Sequence, residues 1–359
     1  MNTHFLILFS VIFLLYAENV LSLGCKSPGG TSVDWFMLYK IPRNTKKNNE
    51  EVRGGEKFYY LDANSNPKKL NFYDADIRGQ TNNSLYHTLQ QIYNGESTKH
   101  AIYNDQPPES KTCKNFKESG HLKGATAFNK EEGFWMISSI PRFPLPKKYE
   151  YGGGQLLFGQ SVLCITFGKN YLDKIVEAFS ITKPCIYDGN ITFGMSSDLS
   201  KEFLFTSKGG TTFRYFGKSN NYKGDLYANF VAEKLMDNLK VETWRSEDID
   251  GFSSSCGDYK VLNVKEVIFN DGFEFRSSKD HSKWAVTEKK SWICIGDLNR
   301  ADSQCKRGGG TMCLEHKDVS EHYRSLIKSY EECGNKRQKS DCSFDDNYPR
   351  KRSKVCPKA

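Results

Sequence analysis

Several familiar signatures are missing from this chain, and each absence closes a route. After Tyr16 no segment approaches the ~18 consecutive apolar residues that a membrane-spanning helix needs. The eleven cysteines include no C-x-x-C pair and no Cys/His group at zinc-ligand spacing. No G-x-S-x-G elbow marks a serine hydrolase. The glycine runs YGGGQ (151–155) and RGGGT (307–311) lack the Lys-Ser/Thr ending of a phosphate loop and read as ordinary loops. Asp and Glu number 43 yet form no metal-binding cluster, so a two-metal nuclease is not signalled and no metal or cofactor is expected. Histidine is sparse, with seven in the chain.

What is present begins with an apolar run from Phe5 to Tyr16, too short to span a bilayer comfortably. Ser22 and Gly24 follow at positions suited to cleavage, so residues 1–22 read as a secretory signal peptide, although no Lys or Arg precedes the run. The competing reading is an uncleaved anchor. About 335 residues then remain, free of the membrane after signal removal and enough for two domains or one large layered one. The net charge of +8 becomes +9 in that mature chain, because residues 1–22 carry Glu18 and no Lys or Arg. A basic secreted protein favours a polyanion: nucleic acid, anionic glycan or anionic lipid. The cysteine count in such a chain argues for disulfides with at least one thiol left over. The sequons at Asn82 (NNS) and Asn190 (NIT) fit an extracytoplasmic surface.

Runs rich in Val, Ile, Phe, Tyr and Trp, bounded by Gly, Asn and Asp, predict strands over 33–41, 56–62, 100–105, 124–129, 133–140, 161–167, 211–216, 260–269, 283–288 and 291–296. Helical spacing appears over 84–94, 171–179, 225–237 and 323–333. Residues 43–55 read as a polar loop, and 335–359 as a basic tail, a solvated terminus in preference to a DNA clamp.

Two segments repeat a pattern. GHLKGATAF carries His121 and Lys123, and DHSKWAV carries His281 and Lys283. Each is followed by a short strand, a charged turn and a second strand that opens near a tryptophan, Trp135 or Trp292. This divides the chain into an N-terminal half, 23–200, and a C-terminal half, 201–334, each with one His-x-Lys. In a strand, residues i and i+2 share a face, so each pair presents an imidazole beside an ammonium. Brought together, two such pairs suit phosphodiester cleavage. One neutral imidazole attacks phosphorus, the other donates a proton to the leaving oxygen and then activates water, and the lysines neutralise charge on the non-bridging oxygens. With a reference imidazole pKa of ~6.5, having one ring neutral and one charged favours mildly acidic operation. A lone His-x-Lys is otherwise a solvated strand edge. His87, His100, His316 and His322 lack the repeated context and read as structural or surface residues.

The blocks VDWFMLYKIP, YNDQPP, GHLKG, GFWMISSIPRFP, FGQSVLCITF, VLNV, DHSKW, WICIGDLNR and GGGTMC occur in an order that resembles the deoxyribonuclease II family, from about Val33 to Cys333. The resemblance implies a metal-free acid endonuclease that leaves 3′-phosphate and 5′-hydroxyl ends on DNA, secreted or lysosomal. It implies a mixed α/β, phospholipase D-like fold: two similar sheet-containing halves about a pseudo-twofold axis, with helices outside. His121, Lys123, His281 and Lys283 match its catalytic positions. Glu288, seven residues after His281, and Asn299, shortly after Gly296, match accessory substrate-binding positions of phospholipase D-like motifs. In the first half Phe128, Asn129 and Ser138 stand near those positions. Where Ser138 stands the family usually has His. A serine hydroxyl hydrogen-bonds a phosphate oxygen but carries no proton charge near about pH 5. The rate is therefore at stake, and the alternative is a catalytically impaired secreted DNA-binding protein of the same fold. A third reading, lipid phosphodiesterase, fits the fold but not the nuclease blocks. Family disulfides carry over as Cys25–Cys164, Cys256–Cys333 and Cys294–Cys313. Ala285 replaces a frequent Cys, and Cys113, Cys185, Cys305, Cys342 and Cys356 stay unassigned.

Overall fold

The computed structural model describes residues 22–43, 54–108, 119–244, 251–334 and 342. Residues 1–21 of the expected signal peptide, most of the polar loop, Cys113, and the basic tail apart from Cys342 lie outside the described residues, as does Cys356.

The β-branched and aromatic runs form two sheets. The first uses β1 (Trp35–Lys40), β2 (Phe58–Asp62), β3 (Asn71–Tyr73), β4 (Lys99–Asn104), β5 (Lys123–Phe128), β6 (Glu132–Ser138), β7 (Gln160–Gly168) and β8 (Ile186–Gly189), in the order β3-β2-β1-β7-β6-β5-β4-β8. The second uses β9 (Ser200–Thr206), β10 (Thr212–Lys218), β11 (Leu239–Glu242), β12 (Ser255–Cys256), β13 (Lys260–Ile268), β14 (Glu274–Arg276), β15 (Trp284–Thr287), β16 (Trp292–Gly296), β17 (Gly309–Glu315) and β18 (Ile327–Tyr330). Its order is β12-β13-β11-β15-β16-β17-β10-β9, with β14 and β18 also against β13. The helices are few: α1 (Ser84–Tyr93), α2 (Leu172–Thr182), α3 (Ala232–Leu235), α4 (Asp302–Cys305) and α5 (Lys317–Ser325). The protein is mixed α/β and sheet-rich.

Strand alternation sorts the apolar residues into layers. Trp35, Met37 and Tyr39 of β1 join a core shared with Phe205, Tyr215, Trp284 and Ile293 of the second sheet. Phe36 and Leu38 point the other way, against Leu85, Leu89 and Ile92 of α1. The outer face of the second sheet is covered by Tyr227, Phe230 and Leu235, from a single π turn and the α3 that continues it. Both α2 and α5 turn one face into the shared core, through Ile175 and Phe179 and through Val319 and Tyr323; α1 and α3 cover outer faces.

The two sheets contain the same series. In β4-β5-β6-β7-β1 and in β11-β15-β16-β17-β10 the strands follow the same relative chain order, and every neighbouring pair is antiparallel. In each series the last strand in sequence, β7 or β17, leads to a helix, α2 or α5.

Two expectations are corrected. The helical spacing at 323–333 covers only the end of α5; the chain leaves the helix after Ser325 and pairs β18 with β13. A short apolar run fits both periods, and unpaired backbone on β13 decides it. The run RGGGT is not a loop throughout, because Gly309 and Gly310 open β17 opposite Lys218 and Gly217. A Cβ on Gly310 would fall 2.4 Å from the Tyr215 hydroxyl, so close packing rather than a turn requires glycine there.

The disulfides Cys25–Cys164, Cys256–Cys333 and Cys294–Cys313 are formed. Cys305 pairs with Cys342, and Cys185 is also disulfide-bonded. Asn82 and Asn190 are exposed.

Candidate active site

The two His-x-Lys segments lead into corresponding strands: Lys123 is the first residue of β5, and Lys283 immediately precedes β15. The chain ahead of each strand is pinned to the opposite half. The His121 backbone N–H donates to the Gly308 carbonyl at 2.7 Å, and the His281 N–H donates to the Gly159 carbonyl at 2.8 Å. Gly308 and Gly159 each stand one residue before the corresponding strands β17 and β7. A Cβ on Gly308 would lie 2.2 Å from the Thr182 carbonyl oxygen, and one on Gly159 2.4 Å from Asp280 Oδ1, so both crossings depend on glycine.

Around His121 the partners are charged. Its Nδ1 lies 2.6 Å from the Asp297 backbone carbonyl, which only accepts, so Nδ1 carries the proton and Nε2 the lone pair of the neutral ring. Nε2 is 3.5 Å from Lys123 Nζ and 3.8 Å from Asp105 Oδ2. Asp105 is buried at the end of β4, ion-paired with Lys123 and with Arg307 Nη2, the latter at 3.2 Å. Arg307 also donates to the Ser119 and Gly120 carbonyls, bracing the approach to His121.

Around His281 the partners are aromatic. Its ring stacks on Phe158 with centroids 3.9 Å apart at 14°, and Trp244 lies 4.8 Å away at 60°. His281 Nε2 is enclosed and has no hydrogen-bond partner among the described residues. Lys283 Nζ donates to the His281 carbonyl at 2.6 Å, and its backbone N–H donates to Ser161 Oγ at 3.2 Å.

The electrostatics tie the two segments into one cluster. Burial pushes the His121 imidazolium down to about 3, helped by Lys123, Lys283 and Arg307 and opposed by Asp105. Burial also brings His281 down to about 2, with Lys283, Lys123 and His121 adding to the shift. Lys283 falls to about 7 through burial and Lys123, against the pull of Asp280, Asp105 and Asp297. Burial raises the Asp105 carboxyl, but Lys123, His121 and Arg307 outweigh it and hold the group below the usual carboxylate range. Asp297 is pushed up to about 8 by burial, against Lys123 and the Gly310 N–H. Lys123, Lys283, Arg307 and the two imidazoles are thus gathered around Asp105, an arrangement suited to an anionic group. Among the described residues no set of three or more His, Cys, Asp or Glu is grouped to hold a metal ion.

The other sequence-derived positions divide. Ser138 ends β6, and continuing the register from Gly124↔Ile137 sets it opposite Lys123. It is buried, and its Oγ accepts the Ile140 N–H at 3.1 Å. Glu288 is not brought to the cluster. It opens the turn at the far end of the β15–β16 hairpin, five residues beyond Lys283 or about 16 Å along an extended strand, and holds Asn238 Nδ2 at 2.7 Å. Asn299, two residues past Asp297, lines a separate small cavity with Lys218, Asp225 and Cys305. Sequence reasoning did not single out Asp105, Arg307, Asp297, Phe158 or Trp244. Asp105 and Asp297 carried the one available signal: each is an acid directly after a strand, β4 or β16, in YNDQPP and WICIGDLNR.

The family model for Deoxyribonuclease II matches residues 24–333. Plancitoxin-1 of Acanthaster planci is 32% identical over 336 residues, covering 87% of this chain and 93% of that protein. Deoxyribonuclease-2-beta of Mus musculus is 33% identical over 335 residues, with coverage of 87% and 93%. Cell death-related nuclease 6 of Caenorhabditis elegans is 32% identical over 341 residues, covering 86% of this chain and 89% of that protein.

Proposed function

The chain belongs to the deoxyribonuclease II family, a family of DNA-degrading nucleases, and from that premise we propose that it is an acid endonuclease acting without a metal ion. It hydrolyses DNA phosphodiesters to 3′-phosphate and 5′-hydroxyl ends through a phosphohistidine intermediate. The observation that carries this reading is the reciprocal pinning of His121 by Gly308 and His281 by Gly159, which holds two imidazoles and two lysines in one charged cluster. One imidazole attacks phosphorus as the other protonates the leaving 5′ oxygen, and Lys123, Lys283 and Arg307 stabilise the non-bridging oxygens. The paired five-strand series supports two phospholipase D-like halves about a pseudo-twofold axis, divided near residue 200. The signal-like N-terminus and exposed Asn82 and Asn190 support a secreted or lysosomal glycoprotein.

Acid operation follows from the sign of the histidine shifts. Both rings are neutral at pH ~5 in the ligand-free protein, since burial and the lysines hold them down to about 3 and about 2. A phosphodiester anion among the cations lifts those values, so binding takes up a proton and strengthens as pH falls. Plasmid nicking at pH 5 in EDTA tests the function directly: nicks that persist in chelator are expected. DNA retention without nicks would instead support the catalytically impaired reading, which the Ser138 hydroxyl, turned to the Ile140 N–H, favours. Contacts to phosphates release counterions, so activity should fall steeply with salt and show slight sequence preference. A salt-indifferent rate would contradict phosphate-led binding.

Ser138→His is expected to raise kcat, because a third imidazole opposite Lys123 can take up a proton once the phosphodiester anion is bound. A gain of roughly 10-fold, below the ~10²-fold commonly supplied by an in-place acid–base group, is the expected scale. An unchanged or lower kcat in the folded variant would show that Ser138 does not limit the rate.

A further inference from the structure

The backbone treats the two histidines alike; their neighbours do not. Arg307 precedes Gly308, which pins His121, and Phe158 precedes Gly159, which pins His281. Asn104 lies opposite Lys123, and continuing the register of Glu242 opposite Trp284 sets Thr243 opposite Lys283. The next residues, Asp105 and Trp244, therefore correspond. At two matched positions the setting of His121 has Asp105 and Arg307, and that of His281 has Trp244 and Phe158. One histidine has an ion pair for its setting, the other an aromatic clamp.

Resting on the nuclease reading, we propose that this broken symmetry fixes the division of labour: His281 is the nucleophile, oriented by Phe158 and Trp244, and His121 is the general acid, supported by Asp105. A nucleophilic nitrogen needs a fixed direction and an unengaged lone pair. His281 Nε2 has no partner among the described residues, its ring is stacked, and Lys283 Nζ is turned to the His281 carbonyl. Burial between Phe158 and Trp244 takes the ring out of water, which disfavours imidazolium, and shields the nitrogen until a phosphate enters. An acid must instead hold a proton. His121 has a carboxylate 3.8 Å from Nε2 and a carbonyl on Nδ1–H, both of which favour the charged ring. As a nucleophile it would have to attack through a lone pair already approached by Lys123 Nζ at 3.5 Å.

The steps balance. The His281 Nε2 lone pair forms an N–P bond while the P–O5′ bond breaks, and O5′ takes the proton from His121 Nε2–H, leaving that ring neutral. His121 Nε2 then accepts a proton from water as the water oxygen bonds to phosphorus. The N–P bond breaks, its electron pair returns to His281, and the 3′-phosphate departs.

Thymidine 3′-(4-nitrophenyl phosphate) separates the roles, because 4-nitrophenolate leaves without a proton. His121→Ala (or His121→Asn, should alanine impair folding) is expected to release nitrophenolate in a burst approaching one per enzyme. It should then stall as a covalent thymidine 3′-phosphoryl adduct that peptide mapping places on His281. His281→Ala, folded by circular dichroism and still retaining DNA, is expected to give neither burst nor adduct. An adduct on His121, or no burst from either variant while the wild type turns over, overturns the assignment. A wild type that cleaves neither this diester nor DNA overturns the nuclease reading itself. In the His121→Ala background, Phe158→Leu should slow the burst at least 10-fold without changing the substrate concentration at half-maximal rate, and Phe158→Tyr should restore it. Equal bursts for Leu and Tyr would remove Phe158 from the positioning role.

Discussion

Alanine at His121 or at His281 is expected to lower DNA cleavage at pH 5 by about 10⁴-fold or more, the upper range for loss of an acid–base group and a covalent path. On DNA the two losses should look alike, although the roles differ. Without His281 there is no nitrogen to form the phosphoryl adduct, and a 5′ alkoxide cannot leave without the proton from His121. DNA retention should change little, since Lys123, Lys283 and Arg307 remain to hold phosphate. Supercoiled-plasmid nicking, read beside a filter-binding titration on the same preparations, separates the two quantities. Near wild-type nicking by either variant would remove the two-histidine mechanism, whichever histidine attacks.

How much of this the sequence disclosed depended on whether the signal was local. The strands flanking both motifs were legible because β5, β6, β15 and β16 are apolar runs closed by charged turns. The repeated His-x-Lys was legible because identical spacing is a one-dimensional feature. Glu288 shows the limit of spacing: seven residues on from His281 is the far end of a short hairpin, since strand geometry converts count into distance. The clamp residues were hidden for a different reason. Asp105 reaches His121 from β4, and Phe158 and Trp244 reach His281 from the approach to β7 and the exit of β11. Those contacts exist only after two sheets have formed and each half has handed a carbonyl to the other. Strands β3, β8, β9, β11, β12, β14 and β17 went unread alongside them. β9 is the clearest case: SKEFLFT alternates too weakly to stand out, and its pairing along all of β10 fixes it as a strand.

Asp105→Ala is expected to destabilise the folded protein by about 3–5 kcal/mol at neutral pH, the usual cost of leaving a buried ion pair half made. Asp105 is 1% exposed and is the carboxylate for both Lys123 and Arg307, with His121 close by. Removing it takes this carboxylate from Lys123 and Arg307 in a site where Lys283 and His121 already add or await positive charge. The pH dependence has a definite sign. A carboxyl held below its unfolded value of ~3.9 contributes stability fully present above that value and lost as pH falls through the folded value. The deficit of the variant should therefore be undiminished at pH 5 and narrow only in stronger acid. Urea unfolding at pH 7, 5 and 3 measures this, and a deficit that vanishes already at pH 5 would contradict the charge assignment. Ligand linkage supplies an independent check. A short single-stranded oligonucleotide brings phosphate to the cations that lost Asp105, so it should raise the melting temperature of Asp105→Ala by more than that of the wild type. The rescue should stop at stability: phosphate can neutralise Lys123 and Arg307 and lifts the pKa of both rings, but only the Asp105 carboxylate, 3.8 Å from Nε2, favours the charged ring at His121 in particular. The variant should accordingly bind DNA well and cut it slowly, a combination that a merely unfolded protein would not give.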